Sequence, residues 1–156
     1  MSVHMSLEGN DRFVGGRRKV RWPWLARVVV LIVARVLALL PPRHMAAVLT
    51  FISRGAKPAT LAQTRLMRDT VCAVSPRAAG IYGCLMRSIG TALMCRIFGV
   101  WPTWCVGVRT EPPFEAHAWV EAEGQLVNEP GTRDCYRRLI TVRPYGESLV
   151  SEGTTR

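Results

Sequence analysis

The sequence predicts an α+β domain in which N-terminal helices are followed by a small antiparallel sheet. Two observations carry that expectation. Apolar residues recur with a helical period up to Ile97, and after Gly99 the pattern changes to short alternating runs separated by turn residues. At 156 residues and 49% hydrophobic residues, the chain is long enough for one well-packed core and too short for two ordinary domains. Residues 1–22 read as a flexible basic leader segment and residues 23–156 as a single domain, helical over 23–98 and sheet over 103–143.

The first helix is expected over residues 24–40, ending at the Pro41-Pro42 pair. Residues 43–53 form the second, with Met45, Val48, Leu49 and Ile52 at helical spacing, and Gly55 and Pro58 close it. A third runs over residues 60–73, before the break at Ser75-Pro76. The fourth contains Cys84 and reaches residue 98, with Leu85, Ile89, Leu93 and Ile97 along one face. Strands are then expected over residues 104–109, 117–121 and 125–128, with a further one over 139–142.

Residues 24–40 are also the one candidate membrane element. Arg27 and Arg35 lie two helical turns apart within it, and arginine near the centre of a spanning helix costs ~2.5–3.5 kcal/mol. The segment therefore reads as a core helix with one wet stripe or as an interfacial helix, leaving peripheral membrane contact open. No secretory cleavage pattern follows it.

The net charge of +10 is uneven. Residues 1–60 hold ten Lys/Arg against two acids, whereas residues 61–156 hold eleven against nine. That asymmetry points to an acidic partner or an anionic surface near the N-terminal region, or to a well-solvated basic face. The basic stretch lacks a nucleic-acid-binding motif, so no nucleic-acid partner is expected. Cys72, Cys84, Cys95, Cys105 and Cys135 show no CxxC pair, which argues against a zinc site or a disulfide framework. Reduced thiols and a cytoplasmic location fit this usage. No metal or cofactor is expected, since phosphate loops and dinucleotide fingerprints are also lacking.

Three residues in the second half carry chemistry. Cys84 follows Gly80 and Gly83 and opens a helix, where the positive end of the macrodipole favours thiolate. His117 lies on a strand between Ala116 and Ala118. A three-residue loop of Ala122, Glu123 and Gly124 would set Glu121 opposite Gln125, Trp119 opposite Val127 and His117 opposite Glu129. Thiol, imidazole and carboxylate are the set a thiol-nucleophile enzyme needs. The competing reading makes Cys84 a buried small hydrophobe, His117 a structural histidine and Glu129 an exposed strand-end acid. Glu121 and Asp134 stand in for Glu129 if the turn differs. Gly83, Arg87 and Trp119 are the expected substrate contacts, with Ser88 touching substrate or capping backbone groups.

The stretches CLMRSIGTALMCRIFG, WCVGV and AHAWVEAEGQLVNE resemble the lasso peptide maturation proteases of the transglutaminase-like (papain-like) cysteine protease superfamily. The match is to the split form, which carries the peptidase without a leader-binding domain. The resemblance implies that Cys84 and His117 are the catalytic pair, with Glu129 where the family usually has aspartate. It also implies removal of the leader from a ribosomally made lasso precursor peptide. A separate leader-recognition protein would present that precursor, and an ATP-dependent lasso cyclase would act on the released core. Two rivals remain: transglutaminase-type acyl transfer by the same residues, and a non-catalytic membrane-peripheral scaffold.

Overall fold

The computed structural model describes residues 24–112 and 114–145. The expected leader segment over residues 1–22 lies outside them. Among the described residues, five α-helices and six strands follow in the order α1 (Trp24–Leu37), α2 (Pro42–Ser53), β1 (Lys57–Pro58), α3 (Leu61–Val74), α4 (Pro76–Ala79), α5 (Cys84–Ile97), β2 (Val100–Trp101), β3 (Thr103–Arg109), β4 (Ala116–Ala122), β5 (Gln125–Leu126) and β6 (Tyr136–Val142). A 3-10 turn, Ile81–Gly83, joins α4 to α5. The architecture is α+β, as the change of period predicts.

The helix boundaries follow local chemistry. α1 stops short of residue 40 because the residue before a proline is pushed out of the α region. Thr60 and Gln63 form a reciprocal capping box at the start of α3, with Gln63 N–H donating to Thr60 Oγ1 at 3.2 Å and Thr60 N–H to Gln63 Oε1 at 3.0 Å. Ser75 caps α4 through the Ala78 N–H at 3.2 Å.

The main sheet has the order β5-β4-β3-β6 and is antiparallel throughout. β1 and β2 make a separate two-residue parallel ladder that no sequence pattern announces. Strand β6 starts three residues before its expected position, at Tyr136, because Arg137 and Arg138 interrupt the apolar run without interrupting the ladder.

α5 packs against α1, α3 and β4. Trp101, Trp104, Leu49, Ile89 and Val127 are fully buried within the resulting core. Trp104 Nε1–H donates to Ser88 Oγ at 3.1 Å, and Ser88 Oγ–H donates to the Leu85 carbonyl at 3.0 Å. Ser88 thus serves the backbone-capping role and ties α5 to the sheet. Behind the sheet, Cys105, Trp119 and Tyr136 form a second, smaller cluster.

Of the wet stripe expected on α1, Arg35 is exposed and Arg27 is half-buried, but most of the solvent-facing side is aliphatic. Val30, Leu31, Ala34 and Leu37 turn inward, while Leu25, Val29, Ile32, Val33 and Val36 face solvent. Among the described residues, no helix is long and apolar enough to cross a membrane.

Candidate active site

Cys84 is the first residue of α5, and no side chain caps that helix end. The positive end of the helix macrodipole favours negative charge at the thiol. The Cys84 pKa is pushed below its usual 9.0, chiefly by a hydrogen bond with His117. Partial burial opposes that shift, and the backbone N–H groups of Ala118 and Leu85 assist it. The His117 pKa moves the other way, up to about 9. The hydrogen bond with Cys84 is the largest cause, that with Glu129 the next, and burial opposes both. Both directions favour a thiolate–imidazolium pair.

His117 Nε2 lies 2.8 Å from Glu129 Oε2. With Nε2 occupied, Nδ1 is the ring nitrogen left to face the thiol. The Glu129 side chain is only 5% exposed, and its Oε1 lies 3.7 Å from Arg87 and 4.0 Å from Arg68.

The pairing of His117 with Glu129 does not come from the expected register. Ala122 pairs with Gln125 and Glu121 with Leu126, so the turn has two residues and the register is shifted by one. Glu123 and Gly124 both take positive φ, 52° and 73°, the geometry of a tight primed hairpin turn. Glu123 is not idle in this strained position, since its carboxylate accepts the Leu61 N–H at 3.1 Å at the start of α3. The last contact of the return strand is Val127 N–H to the Val120 carbonyl at 3.2 Å. Asn128, at φ 51°, then bends the chain, and Arg68 donates to its carbonyl at 3.0 Å. The bend, and not cross-strand opposition, delivers Glu129 to the imidazole.

A family model described as the transglutaminase-like superfamily matches residues 27–141. The chain belongs to the transglutaminase-like superfamily. That superfamily includes cysteine peptidases and acyltransferases. No curated protein and no solved structure matches the chain.

Within this transglutaminase-like domain the three expected substrate contacts turn inward. Gly83 is buried, and a Cβ there would sit 2.0 Å from the Arg77 carbonyl oxygen and 2.9 Å from Ala78. Its missing side chain lets the 3-10 turn pack closely on α4. Arg87 donates to the carbonyls of Ala78 at 2.9 Å and Gly80 at 3.3 Å while facing Glu129. Its guanidinium is used up by the site's own frame. Trp119 is buried, stacks near-parallel to His117 at 6.0 Å between ring centroids, and donates Nε1–H to Glu121 Oε1 at 2.9 Å.

Of the stand-ins for Glu129, Glu121 is engaged elsewhere and Asp134 is exposed on the 3-10 turn Arg133–Cys135. Glu121 is held by Arg138 through both oxygens, at 3.0 and 2.6 Å. The Asp134 carbonyl accepts from Thr110 at 2.9 Å. Tyr136 is the residue that sequence reasoning misses. Its ring lies 5.5 Å from His117, and its hydroxyl donates to the Pro130 carbonyl at 2.7 Å, one residue past Glu129. Only the tertiary pairing of β6 with β3 brings it there.

The remaining cysteines differ from Cys84. Burial drives the thiols of Cys95 and Cys105 up to about 12. Cys105 also faces the Glu121 carboxylate, which raises it further.

Proposed function

We propose that this chain is a cysteine peptidase that removes the leader from a ribosomally made lasso precursor peptide, acting in the cytoplasm with a separate leader-recognition protein. The observation that carries the peptidase chemistry is the Glu129–His117 contact at 2.8 Å beside a thiol whose pKa is lowered by that same histidine. The resemblance of residues 84–129 to split lasso maturation proteases supports the choice of substrate.

The mechanism uses three side chains. The Cys84 thiolate attacks the scissile carbonyl carbon, forming a C–S bond. The His117 imidazolium gives its proton to the leaving nitrogen, the C–N bond breaks, and the core peptide departs with a free amine. Water then attacks the thioester, His117 takes its proton, and the thiolate leaves as the leader is released as an acid. Glu129 fixes the imidazole tautomer and stabilises the imidazolium through both halves. The Cys84 backbone N–H at the head of α5 is the donor this mechanism assigns to the developing oxyanion.

The test is incubation of the precursor with the protein and its leader-recognition partner, followed by mass spectrometry of both product ends. A leader ending in a free carboxylate supports the peptidase. A leader joined to an added amine through a new amide replaces it with acyl transfer.

A further inference from the structure

We propose that the outer face of α1 is a seat for an anionic lipid bilayer, placing the domain on a membrane surface. The observation is a stripe of aliphatic side chains with no cover. Leu25, Val29, Ile32, Val33 and Val36 are 40–57% exposed and recur at helical spacing, and Leu39 continues the line just past the helix end. The opposite face of the same helix is already buried in the core. Apart from Arg27 and Arg35 the helix is apolar on both faces, and its outer face needs a cover.

The chemistry of the stripe selects the occupant. Its side chains are all aliphatic, whereas protein hot spots favour Trp, Tyr and Arg over Leu and Val. Acyl chains are indifferent to shape, so an unfeatured aliphatic ridge suits them. The surrounding charge selects the headgroup. Arg35 is exposed at the edge of the stripe, and residues 24–60 contain Arg27, Arg35, Arg43, Arg54 and Lys57 with no acid. The sequence entering α1 adds Arg17, Arg18, Lys19 and Arg21. Apolar area plus attraction to anionic lipid is what holds an interfacial helix.

The geometry fits a seat on the bilayer. α1 has 14 residues, short of the ~20 needed to span. It packs on α5, and its inward face joins the core while the aliphatic stripe stays exposed.

The experiment is vesicle flotation of the full chain, comparing pure phosphatidylcholine with vesicles containing phosphatidylglycerol. The expected result is flotation with the anionic vesicles, weakened by salt, and about tenfold weaker on phosphatidylcholine alone. Ile32→Glu/Val36→Glu, on exposed positions, should abolish flotation while leaving the circular dichroism unchanged. Cys84→Ala should float as the wild type does, since the seat is independent of the peptidase reading. As a second readout, Ile32→Trp should show a blue shift in fluorescence on adding anionic vesicles. Absent flotation together with unshifted fluorescence from the Ile32→Trp variant overturns the proposal. So does flotation that Ile32→Glu/Val36→Glu leaves intact. If the face is instead shielded in a dimer or by the leader-recognition protein, with no vesicle binding, it is a protein interface and the proposal fails.

Discussion

Glu129 divides its two carboxylate oxygens between His117 and a pair of arginines. Oε2 meets His117 Nε2 at 2.8 Å, and Oε1 faces Arg87 at 3.7 Å and Arg68 at 4.0 Å. The arginines oppose the histidine, so the carboxylate is held from both sides in a nearly solvent-free position. Arg87 also grips the carbonyls of Ala78 and Gly80, which precede the nucleophile. One guanidinium thereby joins the acid at one end of the site to the turn that presents the thiol at the other.

Glu129→Gln keeps the shape and removes the charge. The expected loss in kcat is ~10²–10⁴-fold, by analogy with neutralising the acid of a serine-protease triad. Because Glu129 is the second largest cause of the raised His117 pKa, the alkaline limb of the rate profile should also move to lower pH. Steady-state kinetics across pH measure both effects.

In the wild type, activity should rise with pH as Cys84 becomes thiolate, at a pH below its usual 9.0. It should fall as His117 loses its proton near pH 9, since the leaving amine then lacks its acid. An alkaline limb near the ordinary histidine value of 6.5 would contradict the ion-pair assignment.

Thiol reactivity separates the cysteines. Iodoacetamide at neutral pH should alkylate Cys84 well ahead of Cys95 and Cys105, whose thiols are pushed up to about 12 and buried. Peptide mapping of the partly labelled native protein reads the order. Faster labelling of Cys95 or Cys105 would contradict it.

Arg87→Met should lower stability by ~1.5–3 kcal/mol, the scale of lost hydrogen bonds to a charged group. It should also lower kcat more than it raises KM, because Arg87 touches the site's frame. Denaturant unfolding and kinetics on the same preparation test the pair of effects. A variant with unchanged stability and a raised KM would return Arg87 to the role of substrate contact.

Gly83→Ala places a methyl 2.0 Å from the Arg77 carbonyl oxygen, a contact that the turn can relieve only by moving. Overpacking of this kind costs ~1–3 kcal/mol, and the displaced turn carries Cys84 with it. A lower melting temperature with reduced iodoacetamide reactivity at Cys84 is expected. Thermal scans and labelling rates that match the wild type would show a softer turn.

The sequence made the α+β order legible because each period is local. The capping box at Thr60 and Gln63 and the stop before Pro41 are equally local signals. Cys84, His117 and Glu129 can be named together from the sequence, yet the hairpin closes with a two-residue turn in place of the expected three-residue loop. Glu123 adopts a left-handed conformation that its own sequence does not announce, and its carboxylate is bonded to a helix 62 residues away. Gly83, Arg87 and Trp119 looked available to substrate because a sequence does not display which way a side chain turns. Tyr136 and the arginines around Glu129 reach the site by tertiary packing alone.

The most direct measurement compares wild type with Cys84→Ala on the precursor, with the leader-recognition protein present and mass spectrometry as the readout. Leader released by the wild type, with none from Cys84→Ala, is the expected result and fixes the nucleophile. Equal release by both proteins would remove Cys84, and with it the Cys84–His117–Glu129 mechanism.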